Sequence, residues 1–189
     1  MKSICVYLGA KTGKNELFFQ AVHILGKQIA NRGYHLIYGG SSEGLMGILA
    51  NTVLNNGGTV TGIIPNHLIR QEKPLDTLSE LIITETMQER KLRMQQQADG
   101  FIVMPGGLGT LEEVFELWNA IKMGLINKPV AFLNVDGFFN DLFSFITHCE
   151  MNNMLTSEQM QIPKINSDPT LLLDELFLIS EEKKDSSLV

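Results

Sequence analysis

Short β-type runs alternate with helix-length stretches along most of this 189-residue chain. That rhythm predicts an α/β protein, a doubly wound parallel sheet with helices on both faces. Two further observations agree. Three of the strand runs end in glycine-bearing loops, as strand-to-helix turns of such sheets do, and a length below about 200 residues favours a single domain. The first run, Ile-Cys-Val-Tyr-Leu at residues 4–8, is continuously apolar, the pattern of a strand covered on both sides. Lys2 gives it the outline of a short signal peptide, but the run ends before Lys11, so it is taken as a strand. A helix at 16–32, a strand at 35–38 and a helix at 44–55 follow. Residues 44–69 carry no Asp, Glu, Lys or Arg, yet Asn51, Asn55-Asn56-Gly57-Gly58 and Pro65 interrupt them, whereas a membrane span needs about 20 mostly apolar residues. The stretch is therefore a helix, a turn and a strand at 59–64. Next come a strand at 80–84, a helix at 87–98, a strand at 101–104, a helix at 110–123, a strand at 129–133 and a helix at 138–150. After Asn152 the pattern weakens, and one helix at 169–176 closes a domain spanning residues 1–180. Residues 181–189 are expected to form a disordered tail.

The charge balance narrows the function. Lys+Arg 15 against Asp+Glu 21 gives a net charge of −6, which argues against a nucleic-acid partner, since such proteins concentrate basic surface. Hydrophobic content of 44% with 19% charged residues is globular usage. Cys5 and Cys149 cannot build a disulfide framework and point to a reducing, cytoplasmic setting. His23, His35, His67 and His148 are scattered, so no metal site is expected. The nine methionines suit core filling. There is no G-x-x-x-x-G-K-[ST] and no G-x-G-x-x-G after the first strand, so neither a P-loop nor a nicotinamide cofactor is supported.

Ligands of open parallel sheets bind beyond the carboxyl ends of the strands, where helix N-termini attract anions. Three loops fall there: residues 9–13, residues 39–47 and residues 105–110. In Pro105-Gly-Gly-Leu-Gly-Thr-Leu-Glu-Glu113 the glycines allow a tight turn that brings backbone N–H groups toward an anion. Two accounts of Glu113 fit. Thr110-x-x-Glu113 matches a capping box. Alternatively Leu111, Val114, Phe115, Trp118 and Ile121 face the core, and Glu113 points into a cleft, where the helix dipole favours its ionised form. Met87-Gln88-Glu89-Arg90-Lys91 opens another helix. Its charges either coat an exposed helix start or bind phosphate or carboxylate, with Arg as a planar fork and Lys as a point charge. Gly40-Ser41-Ser42-Glu43-Gly44 matches G-x-S-x-G, but the chain has no HGGG-type segment, so an anion loop suits it better than a nucleophile elbow.

Taken together and in order, Gly39-Gly-x-x-x-Gly-Leu-Met-Gly47, Glu89-Arg90-Lys91 and Pro105-Gly-Gly-x-Gly-Thr-x-x-Glu113 resemble the Lonely Guy (LOG) family of cytokinin riboside 5′-monophosphate phosphoribohydrolases. Members of that family were formerly labelled possible lysine decarboxylases. The likeness runs from about Lys2 to Glu150. It implies a Rossmann-like homodimer that hydrolyses the N-glycosidic bond of a purine-type nucleoside 5′-monophosphate, cytokinin-like or adenosine, to free base and ribose 5-phosphate. By this resemblance the catalytic pair is Arg90 and Glu113. Substrate binding falls to Glu72, Lys91, Gly106, Gly107, Gly109, Thr110 and Glu112, and to the glycines Gly9, Gly39 and Gly40 of the other two loops. No cofactor is implied, and no Ser-x-His-Lys segment suggests a pyridoxal-phosphate Schiff base.

The chemistry suits these residue types. A carboxylate beside the sugar stabilises oxocarbenium character or activates water, and fixing the 5′-phosphate turns remote binding energy into positioning. The chain departs from the family pattern at Gln88, where His is common, at Ala10 and Lys11 in place of Ser-Ser, at Glu43, and at Asn119 in place of Thr. These changes bear on the choice of base. The competing expectation is a nucleotide-binding or sensing module of the same fold that does not hydrolyse.

Overall fold

The computed structural model describes the chain from Met1 to Asp185, and its side chains as far as Phe177. The elements in order are β1 (Ser3–Tyr7), α1 (Glu16–Asn31), β2 (His35–Tyr38), α2 (Gly44–Asn55), β3 (Thr59–Pro65), β4 (Glu80–Thr84), α3 (Met87–Gln97), β5 (Gly100–Val103), α4 (Leu108–Lys122), β6 (Val130–Leu133), α5 (Asn140–Met151), α6 (Ser157–Met160), β7 (Lys164–Asn166) and α7 (Pro169–Asp185). The strands form one sheet in the order β4-β3-β2-β1-β5-β6-β7, every neighbouring pair parallel. The doubly wound α/β expectation holds.

Each face of the sheet carries its own apolar layer. Val22, Leu25 and Ile29 of α1, Leu49 and Val53 of α2, and Leu172 and Leu176 of α7 pack on Ile4, Val6, Leu36 and Ile102. On the other face Met94 of α3, Val114, Leu117 and Trp118 of α4, and Ile146 of α5 cover Cys5, Tyr7, Ile37, Phe101 and Phe132. The central strands β1, β2, β5 and β6 are thus covered on both sides, which explains their continuous rather than alternating apolar sequence. A fully buried Leu or Ile side chain contributes about 1.5–3 kcal/mol, so these two layers hold the strand ends as a rigid platform.

Strand order fixes where a ligand goes. The chain winds outward from β1 to β4, then returns to place β5 against the free side of β1, with Tyr7 opposite Val103. The order reverses between β1 and β5, and the crevice beyond their carboxyl ends is the switch point.

The structure differs from the sequence expectations at several elements. α4 begins at Leu108, two residues before the expected start, with Gly107 as N-cap and no side-chain cap. Thr110 is therefore already inside the helix and the capping box does not form. Phe115, expected in the core, is 39% exposed and stacks on Trp118, while Leu117 takes the buried place. α6 and β7 were not anticipated. β7 is three residues, Lys-Ile-Asn, with no buried side chain, and it pairs only with β6, so tertiary pairing rather than local pattern creates it. α7 continues to Asp185, into the expected tail. Residues 186–189 of that tail lie outside the described residues.

Candidate active site

A cavity of about 480 Å³ opens at the switch point, within the range of small-ligand sites. Its floor and walls come from four places. The loop after β1 supplies Gly9 to Gly13. The start of α4 supplies Gly106, Gly107, Gly109, Thr110 and Glu113. Met87 and Arg90 come from α3, and Leu68 and Glu72 from the turn after β3. Leu45 and Met46 of α2 and the aromatic pair Phe18 and Phe138 complete it.

The α4 terminus is built to receive an anion. The first-turn N–H groups of a helix have no intrahelical acceptor. Here no side chain caps them, and Gly107 and Gly109 add no bulk over the approach. The positive end of the helix dipole points the same way. Thr110 is buried, with its hydroxyl against Gly106 on the cavity wall.

Arg90 is 5% exposed and held from below. Nε donates to the Ile63 carbonyl at 3.0 Å and Nη2 to the Gly39 carbonyl at 3.1 Å, the carboxyl ends of β3 and β2. Nη1 stands 3.7 Å from Glu113 Oε1, an ion pair too long for a hydrogen bond. The guanidinium is thus locked by two carbonyls, while Nη1 stands between Glu113 and the Met87 sulfur, to which it donates at 3.9 Å. Thr86 caps α3 by accepting from Glu89 N at 3.1 Å, which sets the helical phase that brings Arg90 inward.

Glu113 is 7% exposed. Burial pushes its pKa up to about 7, against the lowering pull of Arg90 and with Glu112 adding repulsion. The expectation that the helix dipole would favour the ionised form is corrected. Desolvation outweighs the helix dipole because the side chain has left solvent, and Glu113 exchanges its proton near neutrality, where general acid–base groups work best.

The remaining sequence-predicted residues divide. Glu72, Gly9, Gly106, Gly107, Gly109 and Thr110 line the cavity with Arg90 and Glu113, and one Glu72 carboxylate oxygen is shielded there without a partner. Lys91, Glu112, Gly39 and Gly40 do not line it. Lys91 is buried with Nζ against Glu112 and Glu116. Burial opposes its charge, but the hydrogen bonds it donates to the two glutamates prevail and hold its pKa above the usual lysine value. Neighbouring helix positions point about 100° apart, so Arg90 and Lys91 cannot share a face, nor can Glu112 and Glu113. Gly39 serves Arg90 instead. A Cβ there would lie 2.1 Å from Arg90 Nη2. Gly40 has a left-handed backbone, φ 85°, over Ile63 and Ile64.

Sequence reasoning missed the aromatic wall. Phe18 and Phe138 meet edge to face at 5.4 Å. The turn before Phe138 contains Asp136 at φ 51°, and Asn15, which caps α1, donates to Asp136 at 2.8 Å. Phe18 lies on an amphipathic helix and reads as core, and the Asp136-Gly137 turn signal does not reveal that the following Phe138 meets Phe18. The loops after β1 and β2 also interlock. A Cβ on Gly44, φ 59°, would sit 2.2 Å from the Ala10 carbonyl carbon, and Met46 N donates to Gly9 O.

An uncapped helix terminus beside a buried Arg–Glu pair, at the switch point of a doubly wound sheet, defines the class of α/β proteins whose pocket suits a small anionic ligand. Comparison with known proteins gives the family. The model described as "Possible lysine decarboxylase" matches residues 46–176. A probable cytokinin riboside 5′-monophosphate phosphoribohydrolase of Oryza sativa subsp. japonica is 38% identical over 175 residues, covering 93% of this chain and 70% of the relative. Another from the same plant is 44% identical over 76% of this chain and 63% of its own length. A cytokinin riboside 5′-monophosphate phosphoribohydrolase of Arabidopsis thaliana is 40% identical over 85% and 71%. The chain belongs to the Lonely Guy family of cytokinin riboside 5′-monophosphate phosphoribohydrolases. Among solved structures, a molybdenum cofactor carrier protein of Chlamydomonas reinhardtii superposes with TM-score 0.69 at 24% identity, covering 93% of this chain and 98% of that one. The molybdenum cofactor binding protein of Rippkaea orientalis gives 0.67 at 24%, covering 97% and 98%. These two share the fold.

Proposed function

We propose that the protein hydrolyses the N-glycosidic bond of a purine-type nucleoside 5′-monophosphate, of the cytokinin or adenosine kind, releasing free base and ribose 5-phosphate. Membership of a family of phosphoribohydrolases makes the chain a hydrolase. The observation that carries the substrate reading is the meeting, in one cavity, of the uncapped α4 N-terminus with the Arg90–Glu113 pair.

The 5′-phosphate sits on the N–H groups at Gly107–Thr110, with Arg90 Nη1 as the neighbouring cation. Glu113 follows Thr110 by three residues, a rise of about 4.5 Å along the helix, which places its carboxylate beside the sugar of a phosphate-anchored nucleotide. There it stabilises the developing oxocarbenium charge and takes the proton of the attacking water. Phosphate binding supplies the orientation, so the base needs no tight grip.

A homodimer belongs to the same proposal. Leu92 of α3, Leu108 and Phe115 of α4, and Met123 at the C-cap of α4 leave large apolar side chains exposed on the helices that carry Arg90 and Glu113, a face suited to a second copy of the chain. The two free cysteines suit a reducing, cytoplasmic compartment. No helix among the described residues is long and apolar enough to cross a membrane.

The test is incubation with AMP, isopentenyladenosine monophosphate and other nucleoside monophosphates, with free base followed by chromatography. Base release that disappears in Glu113→Gln is the expected result. Nucleotide binding without release from any of them would replace the enzyme with a binding module.

A further inference from the structure

Of the residues lining the cavity, Phe18 and Phe138 are the aromatic ones, while Leu45, Met46, Leu68 and Met87 give it aliphatic walls. The two rings are not equally accessible. Phe18 is 9% exposed and belongs to the apolar layer under α1. Phe138 is 43% exposed although two rings back it. It meets Phe18 at 5.4 Å and Phe139 at 4.9 Å, both edge to face at 89°. Phe139 is 2% exposed and rests in turn on Phe132 at 5.0 Å. Phe138 is thus supported from the core and still open to the cavity that it lines.

The backbone that delivers this ring is held in one conformation. Asp136 and Gly137 are consecutive left-handed residues, φ 51° and 69°, a conformation that Asp and Gly adopt most readily. Gly137 N and Phe138 N donate to the carbonyls of Asn134 and Val135, and the Asn134 side chain accepts from Phe139 N at 2.8 Å. A further tie crosses to another element. Asn15 Nδ2 donates to the Asp136 carboxylate at 2.8 Å, while Asn15 Oδ1 accepts from Leu17 N at 2.9 Å and caps α1. Since α1 carries Phe18, one asparagine holds the two rings relative to each other. Core packing alone does not call for this, because Phe139 already fills the interior beside an exposed neighbour.

We propose that Phe138 is a specificity-determining residue: the flat base of the nucleotide stacks on its ring, and the Asn15–Asp136 tie holds that platform at the cavity. The proposal rests on the reading of the ligand as a nucleoside monophosphate and adds the surface that chooses among groups borne by the sugar. Aromatic faces attract through dispersion and offset quadrupoles. Every base has such a face, so the platform favours planar heteroaromatic groups over aliphatic ones without reading particular base edges. The contact is modest beside the phosphate anchor, and it orients the base rather than retaining it.

The experiment is calorimetric binding of AMP and of ribose 5-phosphate, which lacks the base, to the full chain carrying Glu113→Gln so that AMP is not consumed. Adding Phe138→Ala is expected to weaken AMP about tenfold and to leave ribose 5-phosphate within about twofold. Phe138→Leu, apolar without a ring, follows Phe138→Ala, and Phe138→Tyr retains AMP affinity. A merely structural role would weaken both ligands together, and that result, or unchanged AMP binding in Phe138→Ala, overturns the proposal. If Phe138→Ala does not fold, the Phe138 ring protons are followed by NMR in the chain with Phe138 intact. They are expected to move upfield with AMP and not with ribose 5-phosphate, because the ring current of a base acts on the ring stacked against it. Absence of that shift overturns the proposal. These readings score binding alone. AMP that stacks but yields no base in the parent counts against the proposed reaction and leaves Phe138 standing, whereas equal affinity for AMP and ribose 5-phosphate overturns the platform even if base is released.

Discussion

Gly39→Ala isolates the support of Arg90, the arginine proposed to act in the site. Gly39 has no left-handed backbone, so alanine adds only a methyl group. Its Cβ would fall 2.1 Å from Arg90 Nη2, 3.3 Å from Arg90 Cζ and 2.9 Å from Met46 Sδ. Relief to ordinary van der Waals contact, beginning near 3.4 Å, requires the guanidinium to retreat by more than about 1 Å, the scale at which misplaced catalytic groups lose about 100-fold. The Nη2 bond to the Gly39 carbonyl breaks with that movement, and a hydrogen bond to a charged group is worth about 1.5–3 kcal/mol. The assay is base release, as kcat/KM, beside thermal unfolding. The expected outcome is a folded protein with kcat/KM down about 100-fold. A Gly39→Ala protein within threefold of the parent would refute the argument that this carbonyl and this bare Cα position Arg90.

Glu113→Gln is expected to abolish base release while retaining nucleotide binding by calorimetry. The same variant tests linkage. Glu113's folded pKa, about 7, lies above the ordinary value of 4.5, so the native state holds an extra proton between those values. Stability is therefore lost as pH rises from about 4.5 through 7, by about 3 kcal/mol. Glu113→Gln should remove that dependence and unfold several degrees higher than the parent at pH 8. Asn15→Ala removes both the α1 cap and the bond to Asp136 and is expected to cost about 1–2 kcal/mol in denaturant unfolding. Gly40→Ala forces a left-handed alanine against Ile64. It should lower Tm while leaving the ratio of activity to folded protein closer to the parent than Gly39→Ala does.

Much of the fold was legible because its elements are local. α2, β2 and β4 begin and end where glycine, proline and charge punctuate the apolar runs. α4 was misplaced at its start because Leu108-Gly109 carries no helix signal, and the error mattered, since it made Thr110 look like a cap. β7 was hidden because Lys164–Asn166 has no apolar pattern and exists only against β6. In the site, Arg90 and Glu113 were identifiable from motif and phase. Lys91 and Glu112 were grouped with them although adjacent helix positions diverge. Their real partners, Nζ with two glutamates, join α3 to α4, a contact that spacing along one helix cannot reveal. The rise in Glu113's pKa depends on depth of burial, a property of the assembled layers.

The interlock of Gly44 with Ala10 makes two of the departures from the family pattern a single variable. The backbone of the loop after β2 rests directly on the backbone of the loop after β1, with no side chain between them to absorb a change. Ala10 and Lys11 on one loop and Glu43 on the other therefore form a matched pair of half-moulds. Grafting Ser-Ser into the first loop alone would press a foreign contour onto the second. Exchanging both loops together, with Gly39 kept, is the route by which the rim of the cavity can be recast while the carbonyl that anchors Arg90 stays in place.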